Sequence, residues 1–98
     1  AELVMADFIL FMHNDVQADD GWDSYLGRLR QLGAFEGGSG IGEGICLKKA
    51  GSAPPITERL VGYIKIVATD MQQAKSLVVG NPHYEAGGTV EIRELPRT

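Results

Sequence analysis

Five apolar residues in a row, Phe8-Ile9-Leu10-Phe11-Met12, constrain this chain more than any other feature. The run Asp7–His13 is rich in β-formers and ends at the turn signal Asn14-Asp15, so it reads as a strand. Side chains alternate across a strand, so a continuous apolar run needs cover on both faces. Helices can supply one cover. A chain of 98 residues has little left to supply the other, and a domain of this size buries only roughly 60–65% of its unfolded surface. The run is far short of the ~20 residues that a membrane helix needs. No basic segment precedes it, as one would in a signal peptide.

The remaining elements follow from period and punctuation. Trp22, Tyr25, Leu26, Leu29 and Leu32 form one apolar stripe at helical spacing, with Asp19 or Asp20 as cap and Gly33 as the left-handed stop. Glycine alternates with other residues from Gly37 to Gly44, and Ile45-Cys46-Leu47 then reads as a second strand. Lys48–Thr57, with Pro54-Pro55, is a loop. Leu60–Thr69 is a third strand, with Leu60, Gly62, Ile64 and Ile66 on one face and Val61, Tyr63, Lys65 and Val67 on the other. Asp70 through Gln73 has the form of a capping box and opens a helix that stops at Gly80 before Pro82. Thr89–Leu95 is the last strand.

The order β-α-β-β-α-β is that of a split βαβ, ferredoxin-like α+β domain: a four-stranded antiparallel sheet with two helices on one face. The whole chain, 1–98, is expected to form one such domain. The first strand then lies between the third and fourth. The face away from the helices carries alternate residues of Phe8–Met12 with Val61, Tyr63, Val67 and Leu95. An apolar sheet face of this kind marks an interface, and pairing of two copies about a two-fold axis would cover it. A homodimer is the expectation.

Charge and cysteine content limit the functions. The net charge is −4 with no run of lysine or arginine, which argues against nucleic acid as partner. Cys46 is the single cysteine, so neither an internal disulfide nor a thiolate metal cage can form. A reducing, cytoplasmic setting is expected, with no membrane association. The Gly-x-Gly-x-Gly stretch lies between a helix and a strand, which is the wrong context for a phosphate loop. Cys46, flanked by Ile45 and Leu47, reads as a small core residue, and Trp22 as packing.

Topology gathers His13, Asn14, Asp15, Asp23, Arg59, Asn81, His83 and Tyr84 at one end of the sheet. Both histidines of the chain are among them, and imidazole beside carboxylates is suited to acid–base or ligand chemistry near neutral pH. Their competing reading is an ordinary polar rim of turns. The spacing matches no metal motif and no cofactor motif, so neither is expected. A second group, Tyr63, Lys65, Glu91 and Arg93, shares one sheet face and could hold an anionic or phenolic ligand between two subunits. Its competing reading is an exposed charge network at the dimer rim, of little energetic weight.

Strand 3 from Gly62-Tyr63, and Gly80-Asn81-Pro82-His83-Tyr84-Glu85-Ala86-Gly87-Gly88-Thr89-Val90-Glu91-Ile92-Arg93, resemble the C-terminal half of YCII-related proteins. The first strand, the Trp22–Leu32 helix and Phe35-Glu36-Gly37-Gly38 are similar to that family as well. The resemblance implies a dimeric, ferredoxin-like α+β barrel and little about activity. Some members carry a His–Asp pair at the first helix and before the proline after the second; here those places hold Trp22-Asp23 and Asn81. The Asp-Gly-Pro-Phe motif of a large subgroup is replaced by Ser52-Ala53-Pro54-Pro55.

Two functions follow from these readings. One is a dimeric small-molecule-binding domain, with Tyr63, Asn81, Tyr84, Glu91 and Arg93 as ligand contacts. The other is a small enzyme using His13 or His83 as base, Asp15 or Asp23 to orient it, and Tyr84 or Arg93 as electrophilic helper.

Overall fold

The computed structural model describes residues 4–97; the ends of the expected 1–98 domain, residues 1–3 and 98, lie outside the described residues. The elements are β1 (Ala6–His13), α1 (Trp22–Gln31), β2 (Phe35–Gly40), β3 (Leu60–Ala68), α2 (Met71–Val78), α3 (Pro82–Glu85) and β4 (Val90–Leu95). The strands form one antiparallel sheet in the order β2-β3-β1-β4, with the helices on one side. The α+β, ferredoxin-like architecture is the expected one, with the one-turn helix α3 added. Among the described residues no helix is long and apolar enough to cross a membrane.

β1 divides its apolar run by parity. Phe8, Leu10 and Met12 point to the helix layer and are buried, while Ile9 and Phe11 lie half-buried on the open face. Ile64, Ile66 and Ala68 of β3 join them, capped by Tyr25 and Leu29 of α1 and by Ala74, Leu77 and Val78 of α2. Leu10, Leu29 and Ile66 are fully buried, each contributing about 1.5–3 kcal/mol by transfer from water. On the open face β1 and its neighbours are in register as Ile9↔Lys65, Phe11↔Tyr63, Ile9↔Arg93 and Phe11↔Glu91.

The helix ends show how local chemistry fixes the frame. α1 starts after Gly21 with no side-chain cap, so neither Asp19 nor Asp20 serves there. It closes on a Schellman motif, Ala34 N–H to Leu29 O and Gly33 N–H to Arg30 O, with Gly33 at a φ of 70°. Leu32, the last member of the expected stripe, falls past the helix end and is largely exposed. Asp70 caps α2 by accepting from Gln73 N–H at 2.8 Å, and Gln73 Oε1 reaches back to Thr69 N–H.

The second strand is not where the periodicity places it. It is Phe35–Gly40, made largely of the glycine stretch itself, with an irregularity between Phe35 and Gly37. Ile45, Cys46 and Leu47 are loop, and Ile45 and Leu47 are exposed. Cys46 is half-buried there, its thiol 3.6 Å from Pro55 O, and is no core residue. Hydrogen bonding decides this: β3 offers an unpaired edge to the first segment leaving α1, and glycine forms the ladder without leaving an apolar pattern to read. Residues 41–59 therefore make a long arm. The radius of gyration is 15.2 Å, against about 13 Å for a compact domain of 100 residues.

Candidate functional site

Three chain segments meet where β1 ends and β4 begins. After β1, the chain is pinned by His13 N–H to Thr89 O at 3.0 Å and by Asn14 N–H to Arg59 O. This leaves Asp15 facing the β4 entrance, where it accepts from Thr89 N–H at 3.0 Å and Thr89 Oγ1 at 2.6 Å. Those two bonds, the hydroxyl first, hold the Asp15 carboxyl below its ordinary value, with a smaller pull from His83 and some opposition from burial. The third segment is α3. Asn81 caps it, its Oδ1 accepting from His83 N–H at 2.9 Å and Tyr84 N–H at 3.1 Å, and Pro82 presets its first turn.

That cap aims the His83 ring at Asp15. His83 is 3% exposed, and its Nε2 lies 3.2 Å from Asp15 Oδ1. An ionised carboxylate accepts only, so Nε2 donates in this contact. The backbone of Gly88 closes over the imidazole. A Cβ there would lie 2.5 Å from His83 Cδ2 and Nε2 and from Val16 Cγ2.

His83 is also part of the wall of a cleft of about 540 Å³ between α1 and the β2–β3 side of the sheet. Trp22, Leu26, Met12 and Phe35 supply much of its apolar surface; Asn14 and Asp19 are polar members from the segment after β1. The volume falls within the usual range of small-molecule pockets. Trp22 is held in place by its indole N–H, which donates to Ala18 O at 2.7 Å, and by an edge-on contact with Tyr25 at 6.2 Å.

The expected cluster divides between the two sides of the sheet. Asp15 and His83 come together on the cleft side. His13 shares the parity of Ile9 and Phe11 and lies on the open face, where Nε2 is 2.8 Å from Glu91 Oε1. Arg93 Nη1 donates to Glu91 Oε2 at 3.3 Å. His13 foremost, with Arg93 behind it, lowers the Glu91 carboxyl from its ordinary value. Tyr63 stands beside Phe11 on that face and borders the cleft. Asp23 and Arg59 are exposed, and Tyr84 is 48% exposed in a separate shallow hollow with Lys75 and Val90. Asn81 is completely buried and serves the frame, its Nδ2 without an acceptor among the described residues. Among the described residues no three His, Cys, Asp or Glu side chains converge as a metal centre would need.

Sequence reasoning did not find the cleft. Trp22, Leu26 and Met12 carry it, and each reads equally well as part of a core stripe. The available signal was the missing side chains at Gly38, Gly40 and Gly62, which leave the sheet bare beneath α1. Comparison of the chain with protein-family models and with curated proteins finds no match.

Proposed function

We propose that the protein is a small-molecule-binding domain of the YCII-related kind, working as a cytoplasmic homodimer. The observation that carries this reading is the apolar cleft with one buried, oriented histidine in its wall. A large apolar surface with few convergent polar groups is the usual make-up of a ligand site. The resemblance in Gly80–Arg93 supports the family, and the apolar open face of the sheet supports the dimer. The single cysteine is consistent with a reducing compartment.

A second reading is favoured by the Thr89–Asp15–His83 chain. A carboxylate that fixes one ring nitrogen leaves the other as a general base, the arrangement that proton-transfer enzymes use. Under that reading His83 Nδ1 removes a proton from the bound molecule and Asp15 stabilises the imidazolium. Asp15 is then a positioning residue. His13, bound to Glu91 on the other face, takes no part.

A thermal-shift screen against metabolites, run on wild type and Gly40→Val, tests the binding reading. Gly40 borders the cleft, and an added Cβ would meet nothing closer than Val61 O at 3.9 Å, so the variant is expected to narrow the site while the ladder holds. Ligands that raise the melting temperature of wild type alone support the cleft. Hits that are the same in both place binding elsewhere and overturn it. Turnover of a hit, lost in His83→Ala, selects the enzyme.

A further inference from the structure

The lining of the cleft specifies more than its size. β2 and β3 contribute Gly38, Gly40 and Gly62, and the pairing Gly38↔Ile64 and Gly40↔Gly62 puts all three on the helix side of the sheet. Gly38 is packed against β3, since a Cβ there would lie 2.7 Å from Tyr63 O. The other two are not packed in this way. A Cβ at Gly62 would meet Met12 Cε and Ser39 O at 3.4 Å, and one at Gly40 only Val61 O at 3.9 Å. Their bareness is therefore not demanded by strand packing. It leaves a strip of flat backbone, with the indole of Trp22 and the side chain of Leu26 on α1 above the sheet. Such a slot suits a planar molecule, which gains contact on both faces.

Charge narrows the class. Among the described residues no lysine or arginine lines the cleft, whereas Asp19 does and Asp15 sits behind His83. An anion entering would lose its water and find carboxylates instead of partners. His83 lines the cleft with Nε2 committed to Asp15, so in the neutral ring the acceptor is Nδ1. We propose that the cleft takes a neutral, planar ring compound bearing a hydroxyl donor of phenol or enol type, its hydroxyl on His83 and its ring on the Gly40–Gly62 strip. This inference rests on the cleft being a binding site, and it concerns only what the site selects.

Titration of ¹⁵N-labelled protein at pH 7 tests it, because the chain has one tryptophan and its indole N–H gives one signal from the cleft wall. The probes are 2-naphthol, its anionic analogue 2-naphthoate, the non-planar decahydro-2-naphthol, and 2-methoxynaphthalene, which has no donor. 2-Naphthol is expected to shift the Trp22 signal with an affinity at least tenfold above each of the others. His83→Phe should bring it down to the level of 2-methoxynaphthalene. Gly40→Val, whose Cβ meets only Val61 O at 3.9 Å, should abolish the response, with the remaining amide signals of the sheet in place. Tighter binding of 2-naphthoate or decahydro-2-naphthol overturns the inference while leaving the cleft a ligand site, and so does equal binding with and without the hydroxyl. Silence of the Trp22 signal toward all four probes and toward every hit of the metabolite screen overturns both.

Discussion

Asp15 and His83 meet at 3.2 Å across 68 residues of chain. The contact ties the turn after β1 to the one-turn helix before β4, and both ends are held by backbone: Asp15 through Thr89, His83 through the Asn81 cap. A buried imidazole is thereby kept in the wall of an apolar cleft by backbone contacts on both sides. The pair is preorganised, and substitutions around it should disturb the orientation of the His83 ring.

Thr89→Val removes the hydroxyl bond to Asp15 and leaves the amide bond. Because that hydroxyl is the largest influence lowering the Asp15 carboxyl, its titration should move up toward the ordinary value of 3.8. The sign for stability follows. A carboxyl lowered in the folded state stabilises above its unfolded value, and that contribution is lost as pH falls through the folded one. The variant should therefore show a shallower loss of stability between about pH 4 and pH 2. Carboxyl ¹³C shifts followed through acid titration, with melting curves at the same pH values, check this; an unmoved Asp15 signal would remove Thr89 from its role.

Gly88→Ala puts a methyl group where His83 and Val16 already are, at 2.5 Å from each. Since the ring is buried and bonded to Asp15, it cannot yield without giving up that bond. A loss of about 1–3 kcal/mol in urea unfolding is expected, as for other overpacked sites, together with displaced His83 ring signals. A variant as stable as wild type, with those signals in place, would show that the backbone over His83 has room to move.

Tyr25 links α1 to α2 by donating its hydroxyl to Leu77 O at 2.7 Å. Burial raises the phenol from its ordinary value of 10.0, opposed in part by the neighbouring Asn81 carboxamide and the Arg28 guanidinium. A group raised in the folded state by burial of its neutral form stabilises fully below its unfolded value and loses that contribution as pH rises through the folded one. Wild type should thus lose stability above about pH 10. Tyr25→Phe should be about 1 kcal/mol less stable at neutral pH, through the unpaired Leu77 carbonyl, yet fall less steeply in alkali. Melting temperatures from pH 8 to pH 11 compare the two slopes.

Ile45 and Leu47 show where the sequence misleads. As a β-like triplet with Cys46 they imitate a core strand, but at 81% and 87% exposure they contribute nothing to the core. Ile45→Ser and Leu47→Ser should each change the unfolding free energy of the isolated chain by no more than about 0.5 kcal/mol, whereas Leu29→Ala, fully buried, should cost about 2–5 kcal/mol. Chemical denaturation separates the cases. Elements with an apolar rhythm, β1, α1, β3, α2 and β4, are legible because burial writes that rhythm. β2 is not, because glycine pairs through its backbone alone. The site was legible in part: topology alone brings Asp15 to His83, while the parity of β1, which sends His13 to the face of Ile9 and Phe11, separates the two histidines. The cleft escaped because its walls use the same residues as the core.

The open face of the sheet yields the last prediction. Ile9, Phe11, Tyr63, Val67 and Leu95 lie half-buried together there, and Val61 is 39% exposed. Charged pairs border them: His13–Glu91–Arg93 on one side and Asp7–Arg97, with Nε to Oδ2 at 2.7 Å, on the other. An apolar centre with a polar rim is the usual anatomy of a protein interface, and a two-fold pairing would lay each apolar centre on its copy. Phe11 is the residue to change, since it stands between Tyr63 and Glu91 in register and outside the helix-side core. In Phe11→Lys the new ammonium can lie beside Glu91 in a single chain, so the fold should persist. In a dimer it would be buried against an apolar surface, at a cost of several kcal/mol. Sedimentation at micromolar concentration should give a dimer for wild type and a folded monomer for Phe11→Lys. A monomeric wild type would leave the apolar face needing a different partner, and a dimeric Phe11→Lys would place the interface elsewhere on the molecule.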